Sequence, residues 1–92
     1  MEFEWDEAKA AVNVAKHGVQ FEIALEFDWA NAVTLPDERF DYGERRSLAI
    51  GRDVAGEFYA IVLTLRGGVV RIISARKANR KEIARWQAAR ET

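Results

Sequence analysis

The sequence predicts a single α+β domain with elements in the order βααββββα, an antiparallel sheet packed on helices. Three observations carry that prediction. "AVTL", "RRSLAIG", "FYAIVLTLR" and "VVRIISAR" are short runs rich in β-branched and aromatic residues, which reads as four strands in a meander. Turn signals separate them at Pro36-Asp37, Asp53 to Gly56 and Gly67-Gly68. Helical patterns lie before and after the runs, and 92 residues suffice for one modest core but not two, so residues 1–92 are read as one domain.

Taken in order, "FEW" reads as a short strand. Asp6 is a good N-cap, and "EAKAAVNVAKH" follows as a helix with small apolar positions at Ala8, Ala11, Val12 and Ala15. Gly18 supplies the left-handed residue that ends it. "VQFEIALEF" alternates as a strand would, yet Phe21, Ala24, Leu25 and Asp28 fit a helical stripe, and Glu, Ala and Leu favour a second helix. Asn79 with Glu82 three places on makes a capping box for the closing helix "RKEIARWQAARE", which Ile83 and Trp86 would pack on the sheet.

Composition excludes several classes. Hydrophobic residues at 49% and charged residues at 32% describe a folded chain rather than a disordered one. No apolar run reaches the roughly 20 residues of a membrane span. "MEFEWDEAKA" lacks the basic-then-apolar layout of a secretion signal, so a cytoplasmic location without membrane contact is expected. With no cysteine and one histidine, neither a disulfide nor a metal site is expected, and no cofactor motif is present.

The net charge of −1 hides a strong polarity. Residues 1–46 carry eleven acids against five bases, and residues 47–92 carry nine bases against four acids. Between Phe58 and Lys81 no acid occurs, while Arg66, Arg71, Arg76, Lys77, Arg80 and Lys81 all fall there. A near-neutral chain can in this way present one positive patch to a polyanion or an acidic partner. If Gly67-Gly68 is a two-residue hairpin turn, Arg66 opposes Val69, Thr64 opposes Arg71 and Val62 opposes Ile73. Thr64, Arg66 and Arg71 then share a face, while Tyr59, Ile61, Leu63, Leu65, Val70 and Ile72 form the apolar face that belongs on the helices. Two arginines on an open face make a phosphate site, although a single exposed arginine is ordinarily just solvated. Cations at the start of the last helix oppose its dipole, which an anion bound there would explain. His17 has two readings: in "KHG" it is a cation favouring a helix end, and by its titration range it suits proton transfer.

"WDEAKAAVNVAKHGVQFEIA", "GERRSLAIG" and "LTLRGGVVRIISARKANRKE" together resemble the BrnT family of bacterial toxins over nearly the whole chain. The resemblance implies a ribonuclease toxin with a RelE-like fold and a BrnA-like ribbon-helix-helix antitoxin. It also implies that operator DNA is contacted only through the toxin–antitoxin complex. Residues matching the family pattern are Lys9, Asn13, Lys16, His17 and Gly18; Gly43, Glu44 and Arg46; Thr64, Arg66, Arg71, Ser74, Arg76, Arg80 and Glu82. This chain departs from it at "FDWANAV", where an Asp-Pro is usual, at Gln20 for a serine, and at Trp86 for a tyrosine.

Metal-free RNA cleavage needs a base near the 2′-oxygen, an acid near the leaving oxygen, and positive charge on the phosphate between them. Arg66 and Arg71 are the candidates for the phosphate, and His17, Glu44 and Lys9 for proton transfer. Lys16, Arg76, Lys77, Arg80 and Lys81 would hold flanking RNA. Glu44 also suits an ion pair with an arginine. A binding module without catalysis, using the same basic face, is the alternative.

Overall fold

The computed structural model describes residues 1–39 and 41–91. After strand β1 (Phe3–Glu4), helix α1 runs from Glu7 to His17. Asp6 accepts the Lys9 N–H at its start, and Gly18, at φ 69°, closes its end by donating to the Val14 carbonyl. Short 3₁₀ helices at Phe21–Leu25 and Trp29–Asn31 lead into β2 (Val33–Asp37), β3 (Arg46–Arg52), β4 (Phe58–Arg66), β5 (Val69–Lys77) and helix α2 (Arg80–Arg90). The sheet has five strands in the order β1-β5-β4-β3-β2. The expected antiparallel meander is present, and β1 adds a parallel edge beside β5, making the sheet mixed. Among the described residues no helix is long and apolar enough to cross a membrane.

Two helical expectations are corrected. The segment after Gly18 forms a short 3₁₀ helix, not an α-helix. Phe21, Ala24 and Phe27 are buried at a spacing of three, the 3₁₀ period, while Leu25 stays 66% exposed. Phe27 then has to run extended to bridge Asp53, which stops the helix. In α1 the small apolar positions Ala8, Ala11, Val12 and Ala15 are exposed, and the buried side carries Ala10 and Asn13 instead. Asn13 explains the rotation. Its amide donates to the carbonyls of Ala75 (2.7 Å) and Val19 (2.8 Å) and accepts from the Ala75 N–H (3.2 Å). Ala75 lies beyond the reach of the two-residue β1, so its outward backbone groups need partners, and one side chain supplies both.

The inner face of the sheet matches the expected apolar set with one exception. Ile61, Leu63, Val70 and Ile72 pack with Phe21, Ala24, Phe27, Ala49 and Ala75, and Tyr59 lies against them. Leu65, at the end of the hairpin, is 67% exposed. Helices do not keep to one face, however. By alternation Leu48, Ile50, Phe58, Ala60 and Val62 face the other way, and α2 covers one end of that outer face. Trp86 meets the Phe58 ring edge-on at 5.2 Å and donates to the Asn31 carbonyl at 2.9 Å.

The hairpin register holds for Arg66 with Val69 and Thr64 with Arg71, and then slips. Leu63 pairs with Ile72 but Val62 pairs with Ser74, so Ile73 is an extra residue and the expected Val62–Ile73 pair does not form. The bulge has a consequence for chemistry. It turns Ser74 and Arg76 to the outer face with Arg71, and Ala75 to the core. Pro36 and Asp37, read as a turn, lie inside β2 and pair with Ser47 and Arg46. β2 is the sheet edge, where a missing N–H is tolerated.

Candidate functional site

The end of the outer face away from α2 carries a row of charged side chains. Arg71 on β5 lies beside Glu4 on β1 in the register and pairs with it, Nη1 to Oε1, at 3.4 Å. Thr64 on β4 opposes Arg71 and is buried, its hydroxyl donating to the Arg45 carbonyl at 2.7 Å. Two residues further along β4, Arg66 donates to Glu44 at 3.1 Å. Glu44 also stands 3.6 Å from Arg46 Nε, so one carboxylate bridges two guanidiniums. The Arg46 guanidinium lies 4.0 Å over the Tyr42 ring. Arg46 Nε itself is buried with no hydrogen-bond partner among the described residues. Thr64, Arg66 and Arg71 thus share a face as the hairpin pattern predicts, and Glu44 joins them in its ion-pair reading.

Closer to α2, two further pairs frame the face. Arg76 grips Glu82 through both nitrogens at 2.7 and 2.9 Å. Glu82 also accepts the Asn79 N–H, while the Asn79 side chain caps the Glu82 N–H, completing the expected capping box. The anion at the start of α2 is therefore the chain's own Glu82, set between the helix N-terminus and Arg76. Arg76 holds the Glu82 carboxyl below the ordinary carboxylate range and is itself raised by that carboxylate. On the β2 side Asp37, with only 4% of its side chain exposed, accepts from Arg39 at 2.8 and 3.0 Å and from the Tyr42 hydroxyl at 3.4 Å. The Arg39 hydrogen bonds lower Asp37 below its usual value.

Lys9, Lys16 and His17 form a different group. They line a groove of about 330 Å³ between α1 and β5, floored by Ile73 and Ser74. All three are exposed and carry no ion-pair partner among the described residues. The proton-transfer candidates therefore divide: Glu44 sits with Arg66, whereas His17 and Lys9 sit at the edge of β5. Lys77 lines a separate cavity beside Tyr59 and Glu26, away from the arginine row. Arg80 and Lys81 are exposed on the first turn of α2. The six bases without an intervening acid do not converge on one point.

Sequence reasoning missed Glu4 as the partner of Arg71, and it missed the Asp37–Arg39 pair altogether. An acid and a base two apart at a strand end point the same way, and that spacing was a usable signal. Asn13 and Arg46 matched a family pattern without an assigned role. Among the described residues no group of three His, Cys, Asp or Glu is placed to hold a metal ion.

By comparison with known proteins, the chain falls among the toxins of type II toxin–antitoxin systems. The family model of BrnT, the ribonuclease toxin of such a system, matches residues 5–82, and the chain belongs to that family. The structure of the ribonuclease toxin BrnT of Brucella abortus superposes with a TM-score of 0.70 at 30% identity, covering 87% of this chain and 99% of that one. No curated protein sequence matches this chain.

Proposed function

We propose that this protein is a metal-independent endoribonuclease toxin of RelE-like fold, which blocks translation by cutting RNA. A BrnA-like ribbon-helix-helix antitoxin silences it in the cytoplasm, and the complex, not the toxin alone, contacts operator DNA. The observation that supports the nuclease reading best is Glu44, held between Arg46 and Arg66 on the open face of a BrnT-family fold. Arg66, Arg71 and Arg46 hold the scissile phosphate and neutralise the charge that builds on it during attack by the neighbouring 2′-hydroxyl. When Arg66 turns to the phosphate, Glu44 is the carboxylate beside it and takes the 2′ proton. The cleaved ends are a cyclic phosphate and a 5′-hydroxyl. His17 and Lys9, in the groove at the β5 edge, are the candidates to give the leaving 5′-oxygen its proton as the P–O5′ bond breaks, and Lys16 beside them holds the RNA backbone.

Cleavage of a purified structured RNA in EDTA tests this, with the Arg66→Ala, Arg71→Ala double variant and Glu44→Gln alongside. The parent cuts, and both variants, shown to be folded by circular dichroism, lose at least a hundredfold in rate. Equal cutting by parent and double variant would remove the clamp from the mechanism. One observation favours a second reading, a binding module: Arg66 and Arg71 each already carry an internal carboxylate. That reading predicts saturable, salt-sensitive RNA association with no turnover.

A further inference from the structure

The outer face holds a second feature between the arginine row and α2. A cavity of about 240 Å³ opens there, with Leu35 and Leu48 as its floor. Its walls are two ion pairs, Asp37–Arg39 on the β2 side and Glu82–Arg76 on the α2 side, and Pro36 and Glu38 complete the lining beside Asp37. Arg39 is near enough for its charge to act on both Arg76 and Glu82, so the pairs face each other across the space. The volume falls below the roughly 300–1,000 Å³ of sites for drug-sized ligands, which suits one small planar group. The floor is apolar, and each wall offers both guanidinium donors and carboxylate acceptors, the complement of a nucleobase edge.

Position strengthens the match. Leu48 lies two residues along β3 from Arg46, and its partner Val62 lies two along β4 from Thr64. The cavity is therefore roughly 7 Å from the arginine row, one nucleotide's reach from a phosphate held there. We propose that the cavity between the Asp37–Arg39 and Glu82–Arg76 pairs is the subsite for a base adjoining the scissile phosphate, with Arg39 as the residue that selects it. The proposal rests on the nuclease reading for its phosphate but on the cavity for its base. Arg39 carries the selection because Asp37 fixes its guanidinium through Nε and Nη2 while 66% of the side chain stays exposed to a ligand, whereas Arg76 is 33% exposed and tied to a capping carboxylate. The bond lost with a wrong base edge is a bidentate one, so discrimination between the best and worst base is roughly five-fold or more.

The test has a binding arm and a cleavage arm. In the first, the four nucleoside 3′-monophosphates and base-free ribose 5-phosphate are titrated into the protein, followed by NMR at the arginine Nε–H groups and the Leu35 and Leu48 methyls. The expected result is that signals of Arg39, Arg76, Leu35 and Leu48 move with the nucleotides but not with ribose phosphate, with one base bound at least five-fold tighter than another. Arg39→Ala removes that ranking while the responses at Arg66 and Arg71 persist. Arg39→Lys, which keeps a cation beside buried Asp37, removes it too. Responses confined to Arg66 and Arg71, or equal for all four bases and ribose phosphate, would overturn the subsite. In the second arm, cut sites are mapped along a long RNA, where the base flanking the cut should be the tightest binder and Arg39→Ala should relax the preference. Cutting with no flanking preference sinks the subsite and keeps the nuclease; base-selective binding without cutting sinks the nuclease and keeps the subsite.

Discussion

Asn13→Ala is predicted to cost far more than a typical helix substitution to alanine, which by propensity alone would be favourable. The side chain makes three hydrogen bonds to backbone, two donated and one accepted, and is 5% exposed. Its loss leaves the Ala75 N–H, the Ala75 carbonyl and the Val19 carbonyl without these partners. Each buried group left unpaired costs about 1–3 kcal/mol. The adjoining groove admits water once the amide is gone, so the lower end applies, about 3 kcal/mol in all. Set against the roughly 5–15 kcal/mol that holds a domain together, the loss is large, and at ~4–8 °C per kcal/mol it lowers Tm by roughly 12–24 °C. Thermal melting by circular dichroism reads the shift, and hydrogen exchange reads the cause: the Ala75 amide should exchange at least tenfold faster relative to neighbouring β5 amides. Asn13→Asp keeps the shape and the acceptor but sets a carboxylate oxygen against two carbonyls, so it falls at least as far. A Tm within about 4 °C of the parent for Asn13→Ala would refute the reasoning, showing that apolar contacts at Ala10 hold α1 and that water serves Ala75 equally well.

Acid stability should follow Asp37 and Glu82. Both carboxyls lie below their usual values when folded, so the folded protein binds fewer protons than the unfolded one in the acid range. Their stabilisation is complete above the ordinary carboxylate values of 3.8 and 4.5 and is lost as pH falls through the lowered folded values. Urea midpoints should be flat from neutrality to about pH 5 and fall steeply below about pH 4; Glu82→Gln should lower the neutral midpoint and flatten the acid limb, and parallel limbs would remove Glu82 from the effect. Gly51→Ala should destabilise by about 1–3 kcal/mol in urea unfolding, because its Cβ would stand 2.8 Å from Phe27 Cζ and 3.4 Å from the Ala32 Cβ. The Phe27 ring is buried and set edge-on against Trp29 at 4.7 Å, so it has nowhere to move, and an unchanged midpoint would show that it does.

Local rules were legible where the chemistry was local. Asp6, Gly18, the Asn79–Glu82 box and the Gly67-Gly68 turn each act within a few residues, and the structure has each of them. Failure came where a distant strand decided. Ala8, Ala11, Val12 and Ala15 read as the buried stripe of α1 because apolar residues usually face the core, but Ala75 at a sheet edge needed a hydrogen-bonding partner and Asn13 took the inner side. The spacing of Phe21, Ala24 and Phe27 carried the 3₁₀ period, hidden by Leu25, whose helix propensity argued for a longer turn. At the site, Arg66, Arg71 and Thr64 followed from alternation alone. Their carboxylate partners could not, since Glu4 and Glu44 are brought in by a parallel edge strand and a loop that no local pattern specifies.

The bulge at Ile73 links fold to site most directly. Without the extra residue, strict alternation would put Arg76 on the face that carries Val70 and Ile72, inside the core. An unpaired guanidinium there would be costly, and the strand would not hold that register. With it, Arg71 and Arg76 share the outer face but meet different fates. Arg71 is held by Glu4, a 43% exposed side chain on a two-residue edge strand, so its release toward a phosphate costs about 1 kcal/mol or less. Arg76 is held by both oxygens of Glu82, a carboxylate fixed in turn by the cap of α2 and only 13% exposed, so letting go would also loosen the helix. One face thus carries arginines of two kinds, exchangeable ones where an anion would be gripped and a fixed one that shapes the wall beside it. An arginine's place in the basic run says nothing about which kind it is; the carboxylate opposite decides.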